Sequence, residues 1–395
     1  MKNYNFVIIG GGIVGLTVAR SLLQRKLGTV CILEKEASLG MHSSGRNSGV
    51  LHSGIYYPPN SLKAKICLSG AKKMADYANS HRISMLKTGK VIVAKNAEEF
   101  SKLHELYERG IQNGVSVRRI SVKELKEIEP EAATHEGALH ITDTGVINSK
   151  QVLHALENEI TAMGAKLIYS ARAEKIEEKV VYLKDEKISF GHLINAAGLH
   201  ADNIAHAMGV GLDYCIVPFK GIYRKLSKEA AARFRGSIYP APDLAMPFLG
   251  VHITRVVSGD VYAGPTAIPA FGRENYGVLR GIDSDFFSIA YHLSTMMVKN
   301  TNNLRGLIAQ EIPNYLPSVF LKRVKSLAPG LKREDLEPCD KVGLRAQLMD
   351  KRSLKFVMDF LVEKGPNSTH ILNAISPAFT SSFAFAEIIV DGVSS

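Results

Sequence analysis

Phe6-Val7-Ile8-Ile9-Gly10-Gly11-Gly12-Ile13-Val14-Gly15 decides how this chain folds. The unbroken aromatic and β-branched run before the glycines reads as a strand buried on both faces. The glycines then follow in G-x-G-x-x-G spacing, and each has a task. Gly10 allows a tight turn, Gly12 lets backbone N–H groups approach a pyrophosphate, and Gly15 lets a helix pack closely on the strand. An apolar-periodic helix carrying Val14, Val18, Leu22 and Leu23 follows, then a second strand, Val30 to Leu33, ending at Glu34. The helix N-terminus offers partial positive charge to phosphates. Glu34 is placed for both hydroxyls of an adenosine ribose and disfavours a 2′-phosphate. The unit reads as βαβ dinucleotide binding, with FAD and NAD both open at this point and NADP disfavoured.

A second segment bears on that choice. Ile194-Asn195-Ala196-Ala197-Gly198-Leu199-His200-Ala201-Asp202 follows a strand-like stretch, Ile188 to Leu193, and ends in a helix start. In two-domain flavoproteins an apolar strand running into such a small-residue loop passes beside the flavin-linked diphosphate. Ala196, Ala197 and Gly198 permit the close backbone approach that bulk would prevent. The same residues also suit a packing glycine in an ordinary strand–turn–helix.

The bulk numbers set limits. A chain of 395 residues is long enough for two intimately connected domains. With 46% apolar and 22% charged residues it is an ordinary globular sequence, neither disordered nor fibrous. The net charge of +11 suits attraction of small anions, contact with an acidic membrane, or solubility alone. No long Lys/Arg block and no zinc or helix-turn-helix signature accompanies it, so nucleic acid is not an expected partner. Cys31, Cys67, Cys215 and Cys339 are scattered without metal-ligand spacing, which suits a reducing compartment and predicts neither a disulfide framework nor a metal site. The absence of G-x-S-x-G excludes that class of serine hydrolase. The strand at Phe6 leaves no room for a cleavable signal, and Phe6 to Ala19 is too short to span a membrane. The expected location is cytoplasmic, with peripheral attachment to the membrane face as an extension.

Longer motifs carry a family resemblance over nearly the whole chain. They are Asn47-Ser48-Gly49-Val50-Leu51-His52-Ser53-Gly54-Ile55-Tyr56-Tyr57-Pro58-Pro59, Ser61-Leu62-Lys63-Ala64-Lys65, Pro218-Phe219-Lys220-Gly221 and Pro247-Phe248-Leu249-Gly250-Val251-His252. Gly264-Pro265, Gly343-Leu344-Arg345-Ala346-Gln347 and Ser376-Pro377-Ala378-Phe379-Thr380 continue the series. The sequence resembles the D-amino-acid-oxidase-like FAD superfamily and, within it, the L-2-hydroxyglutarate oxidase/dehydrogenase family. The resemblance implies an α/β fold (α+β overall) in which a Rossmann-like FAD-binding domain is interleaved with a mixed-sheet substrate domain carrying a helical cap. It also implies FAD as cofactor, hydride transfer from substrate C2 to flavin, and oxygen or a quinone as final acceptor. The family usually reads Glu-Tyr where this chain has Ile222-Tyr223, and Gly-Pro-Asn-Ala where it has Gly264-Pro265-Thr266-Ala267. Both departures bear on which hydroxy acid is preferred.

On this reading the FAD-binding domain comprises 1–85, 140–212 and 335–395, and the substrate domain 86–139 and 213–334. Lys90 to Ala94 reads as a strand and Ala97 to Asn113 as an amphipathic helix with Leu103, Leu106 and Ile111 on its apolar face. Val117 to Glu129 reads as a solvated surface element. Asp285 to Leu336 reads as a basic helical cap over the substrate site, or as an amphipathic patch that touches an acidic membrane.

Oxidation of a small anionic 2-hydroxy acid requires a cation for the carboxylate, a base for the hydroxyl proton and a hydride acceptor. Arg345 is the candidate cation, because guanidinium binds carboxylate in bidentate fashion. Lys220 and Tyr223, after the Pro218-Phe219 strand end, are candidates for the distal carboxylate, with Tyr57 and Gln347 as further substrate contacts. His52 and His252 are the candidate bases, since a neutral imidazole takes a hydroxyl proton near neutral pH. Arg46, Asn47, Ser48, Ser376 and Thr380 join Gly10, Gly12, Gly15, Glu34, Ala197 and Gly198 as candidate cofactor contacts, Thr380 being also a candidate helix cap. Three other readings stay open: a sibling enzyme oxidising an amine or glycerol 3-phosphate, a flavin-binding protein without turnover, and a nicotinamide dehydrogenase.

Overall fold

A computed structural model describes residues 1–243, 246 and 248–394. Its first large sheet grows outward from the strand Lys2–Ile9. Val7 and Ile8 have no exposed surface, as a run that packs on both faces requires. Val30–Leu33 pairs parallel on one side, Phe6 opposite Val30 and Ile9 opposite Leu33. Lys187–Asn195 pairs parallel on the other, Ile9 opposite Asn195. Ser368–Asn373 extends the sheet beyond it, also parallel. The helices Ile13–Gln24, Ser149–Ala162 and Ala378–Ser394 contribute to one core with this sheet, through residues such as Leu16, Leu22, Leu156 and Phe385. Both glycine-containing turns read from the sequence therefore end on neighbouring strands at the same sheet edge.

The second large sheet is mixed. Its eight strands include Lys90–Val93, Ser237–Pro240, His252–Arg255 and Val261–Gly264 side by side, with the Lys90–Val93/Ser237–Pro240 pair parallel and the other pairs antiparallel. A long antiparallel ladder, Tyr214–Ile222 against Val342–Asp350, forms a separate three-stranded sheet with Ile268–Pro269. The helices Phe286–Lys299 and Leu304–Glu311 cover this ladder: Ile289, Leu293, Met296 and Leu307 share a core with Val217 and Phe219. The helix Pro317–Lys325 packs instead on the second large sheet through Phe320 and Val324.

Several local expectations change. Ile111 lies on the exposed side of the helix Ala97–Gln112, while Leu103 and Leu106 are buried. Val117–Glu129 is mostly exposed but regular: the strand Val117–Ser121 and the helix Val122–Ile128 bury Val117, Ile120 and Leu125, and Glu129 just beyond the helix is buried too. Its buried residues recur only every three to five positions among arginines, lysines and glutamates, so no single period marks it in the sequence. Pro218 and Phe219 sit mid-strand rather than at a strand end. The strand holding His252 begins at His252 itself, and Pro247 lies outside the described residues. Among the described residues no helix is long and apolar enough to cross a membrane.

Candidate active site

The glycine loop is held by contacts that leave no room for side chains. A Cβ on Gly10, whose φ is +110°, would lie 2.4 Å from the Ala196 carbonyl oxygen, and one on Gly15 would lie 2.0 Å from the Gly10 carbonyl oxygen. These are backbone obstacles, so the first and third glycines close the turn onto the neighbouring strand and onto the helix. The middle glycine, Gly12, faces the Ser44 hydroxyl, which accepts the Ile13 N–H at 3.0 Å. Glu34 ends the second strand with one carboxylate oxygen accepting the Gly11 N–H and the other the Glu36 N–H, each at 2.9 Å. Gly198 has φ +57° with open space around a would-be Cβ, so its conformation rather than crowding favours glycine.

From this loop a cavity of about 1010 Å³ runs to the second sheet. Gly10, Gly12, Glu34, Arg46, Asn47, Ser48, Ala197 and Gly198 line its first part. Gly15 lies behind them and acts through packing. Asn47 fixes the connecting loop: its amide donates to the Ser44 carbonyl at 2.7 Å and accepts the Gly49 N–H at 2.8 Å. Arg46 lies over the Tyr276 ring at 4.3 Å. Thr380, in the first turn of the C-terminal helix, is not its cap; its hydroxyl donates to the Val50 carbonyl at 3.2 Å and accepts the His52 N–H at 3.1 Å, tying the histidine loop to the helix.

The far part of the cavity is lined by His52, Tyr57, Ser376, Arg345, Tyr223 and His252. Arg345 comes from the long ladder, opposite Phe219. Its guanidinium stacks 5.2 Å from the Phe248 ring centroid, and one Nη donates to the Thr266 carbonyl at 2.8 Å. Among the described residues no carboxylate forms an ion pair with it. The two positions that depart from the family pattern meet here: the Thr266 hydroxyl accepts the Ile222 N–H at 3.0 Å, while its carbonyl anchors Arg345. Burial pushes the Tyr223 phenol up to about 12, although the nearby Arg345 charge opposes the shift.

The two histidines differ in what holds them. His252 stacks on Tyr239 with ring centroids 4.0 Å apart, and its Nδ1 lies 3.0 Å from the Gly250 carbonyl. A carbonyl only accepts, so Nδ1 carries the proton and Nε2 keeps its lone pair. Burial lowers its pKa to about 4. His52 Nε2 lies 3.4 Å from the Ser376 hydroxyl, and its buried Nδ1 has no partner. Burial, with the positive charge of Lys90 adding to it, lowers His52 to about 3. Both rings are therefore neutral at neutral pH.

Two predicted contacts are elsewhere. The Lys220 ammonium donates to Asn275 Oδ1 and the Gly277 carbonyl, outside the cavity. Gln347 is fully buried beyond the cavity end, donating to the Leu348 and Val357 carbonyls. Three residues that sequence reasoning passed over belong to the site or its walls. Ser44 supports the glycine loop. Lys63, 4% exposed, lines the cavity with its ammonium 5.7 Å from the Tyr57 ring centroid, and burial lowers its pKa to about 8. Lys90 lies behind Tyr56 and Tyr239. Its signal was available in Lys90-Val91-Ile92-Val93, a charge set in an apolar strand. Among the described residues Glu36, His42 and Glu274 come within metal-ligand reach of one another, but the Lys35 ammonium pairs with both carboxylates and makes the group an ion-pair network.

A loop too tight for side chains, a helix N-terminus behind it, a carboxylate at the end of the second strand and an elongated cavity fit an adenine dinucleotide whose reactive end reaches the second sheet. The FAD-dependent oxidoreductase family model matches residues 5–392. The chain belongs to that family. As an FAD-dependent oxidoreductase it is 35% identical over 398 residues to an L-2-hydroxyglutarate dehydrogenase of Indibacter alkaliphilus, covering 98% of each chain. It is 34% identical to the mitochondrial L-2-hydroxyglutarate dehydrogenase of Homo sapiens, covering 99% of this chain and 89% of the human one. Among solved structures, an FAD-bound L-alpha-glycerophosphate oxidase from Mycoplasma pneumoniae shares the fold with a TM-score of 0.79 at 21% identity, covering 100% of this chain and 96% of that one. Glycine oxidase from Geobacillus kaustophilus does so with a TM-score of 0.74 at 17% identity, covering 100% and 95%. The nicotinamide reading is thereby set aside, and the expected α/β flavoenzyme fold stands.

Proposed function

We propose that this flavoenzyme oxidises L-2-hydroxyglutarate, or a close 2-hydroxy acid, to the 2-oxo acid. The observation that carries the reading is Arg345, a cavity guanidinium with no carboxylate partner among the described residues, sharing that cavity with the neutral imidazole of His252. The names of the relatives above support the substrate. In this reading Arg345 binds the substrate carboxylate in bidentate fashion and so orients C2. His252 Nε2 accepts the hydroxyl proton, and His52, lacking a fixed tautomer, borders the reacting carbon. Tyr57 and Tyr223 close the pocket around the substrate chain, and Lys63 replaces Lys220 as the cation available to a second carboxylate. Bound FAD supplies the two-electron acceptor for the C2 hydride. Gly10, Gly12, Glu34, Ala197 and Gly198 hold its diphosphate and ribose side, with Gly15 packing the helix behind them and Arg46, Asn47, Ser48, Ser376 and Thr380 toward the ring. The division into an FAD-binding part (1–85, 140–212, 335–395) and a substrate part (86–139, 213–334) belongs to the same proposal, with Val342–Asp350 as the strand that joins them through its ladder to Tyr214–Ile222.

Electrons leave to a membrane quinone in this account, with oxygen as the other acceptor. Val278, Leu279, Phe287, Tyr291 and Val298 are each at least 66% exposed, and Arg280 and Lys299 follow Leu279 and Val298 directly in sequence. Such an apolar surface with cations beside it fits peripheral contact with an anionic bilayer. Flotation with anionic vesicles should carry the wild type up and leave Leu279→Glu/Phe287→Glu behind; equal flotation of both would reject the contact. The substrate is tested by product: turnover with L-2-hydroxyglutarate should yield equimolar 2-oxoglutarate, and turnover of amines or glycerol 3-phosphate in its place would replace this reading.

A further inference from the structure

Lys90 is an anomaly in the second sheet. It opens the strand Lys90–Val93 and is 2% exposed. Its ammonium has neither a hydrogen-bond partner nor an ion pair among the described residues. Register explains where it points. Ile92 pairs with Tyr239, and the Ile238–Ile253 pair sets Tyr239 opposite His252. Alternation therefore puts Lys90, Ile92, Tyr239 and His252 on one face of the sheet, and Val91, Ile238 and Ile253 in the core on the other.

The ammonium lies 4.4 Å from the Tyr56 ring centroid and 5.0 Å from that of Tyr239, and His252 stacks on that same Tyr239 ring. The groups that face it are Tyr56 and His52 from the histidine loop, Cys67 from the helix Leu62–Ser80, Tyr239 from the neighbouring strand and His252 from the next. None is an anion at neutral pH: burial pushes the Cys67 thiol up to about 12 and raises both tyrosines, and it keeps both histidines neutral. Burial also brings Lys90 itself down to about 7. Two ring faces are a weak return for desolvating an ammonium. An anion in the adjoining cavity would complete the balance.

We propose that Lys90 is a positioning residue for the reaction: from behind the Tyr56 and Tyr239 rings its charge adds to burial and to the Arg345 guanidinium in holding His252 neutral and proton-accepting, and it favours an anionic occupant of the cavity. The inference rests on the reading of that cavity as a hydroxy-acid site with His252 as base. Substrate carboxylate and buried ammonium then hold opposite charge across a wall of two rings. The imidazole stacked on one of those rings is discouraged from protonating before it receives the hydroxyl proton.

The test uses the FAD-loaded enzyme and three chains: wild type, Lys90→Met and Lys90→Arg. Wild-type turnover with L-2-hydroxyglutarate tests the underlying reading, whereas comparison among the three tests Lys90. Removing the cation makes His252 easier to protonate, so the acid limb of the kcat/KM profile should move up by about one pH unit in Lys90→Met. Glutarate, which carries both carboxylates but no hydroxyl, should bind that variant about tenfold more weakly, read from its perturbation of the flavin spectrum. Lys90→Arg, which keeps the charge, should hold the acid limb at the wild-type position. An acid limb unmoved in Lys90→Met would overturn the proposal. If Lys90→Met does not retain FAD, calorimetry of glutarate binding decides. In two buffers of different ionisation enthalpy near pH 7, the wild type should take up more of a proton than Lys90→Arg, in which only Lys63 is left to respond; equal uptake by both would overturn it.

Discussion

Replacing Arg345 by methionine removes the guanidinium while retaining an unbranched side chain that can rest on Phe248. A guanidinium has five N–H donors, and the described structure accounts for one, given to the Thr266 carbonyl at 2.8 Å. A bidentate carboxylate would use two more. At about 1.5–3 kcal/mol for each hydrogen bond to a charged group, their loss costs about 3–6 kcal/mol. With about 1.4 kcal/mol per decade, kcat/KM should fall roughly 100- to 20,000-fold. The carboxylate is bound in ground and transition state alike, so most of the loss should appear in KM and less in kcat. Arg345→Lys should recover part of the affinity, because a point charge replaces a fork. The assay is stopped-flow flavin reduction over a range of substrate concentrations, with the visible spectrum of the resting enzyme confirming bound FAD. A variant that keeps its FAD and a kcat/KM within about threefold of wild type would refute the assignment of Arg345 to the carboxylate.

Gly15→Ala sets a methyl 2.0 Å from the Gly10 carbonyl oxygen; about 1–3 kcal/mol of stability should go, and bound FAD per chain should drop with it. Full FAD content at an unchanged thermal midpoint would contradict the packing argument. His252→Gln should lower kcat by roughly 10²- to 10⁴-fold while leaving the flavin spectrum intact, as loss of a general base does; a loss confined to His52 variants would transfer the role to His52. His252 and His370 are both held down to about 4 by burial, from a usual 6.5. The unfolded chain therefore protonates first, so stability present above pH 6.5 should be lost progressively as pH falls toward 4. Urea midpoints at pH 7 and pH 5 check this, and a midpoint no lower at pH 5 would argue against both burials.

The nucleotide end was legible because its constraints are local. Gly10 and Gly15 are required by atoms within one turn or on the adjacent strand, and Glu34 is fixed by the length of one helix and one strand. The substrate end was legible only by residue type. Arg345, His52 and His252 do line one cavity, but Lys220 and Gln347 do not, and strand geometry says why. Lys220 neighbours Phe219, whose ladder partner is Arg345, so alternation turns it to the opposite face. A strand read as ending at Phe219 concealed that parity, since the ladder runs through Ile222. Gln347 shares the face of Arg345 but lies one pleat repeat farther along, where the carbonyls of Leu348 and Val357 accept from its amide. Lys63 and Lys90 were missed for a different reason. A charge in the apolar run Lys90-Val91-Ile92-Val93 was legible as an oddity, but where each lysine ends up depends on contacts between a helix, a loop and strands distant in sequence.

Anaerobic titration of the FAD-loaded enzyme with L-2-hydroxyglutarate tests the central claim most directly. The account predicts that the oxidised flavin band bleaches to completion with this acid and stays unchanged with the D-enantiomer or with sarcosine. An unbleached spectrum with FAD bound, or bleaching by sarcosine in its place, would contradict it.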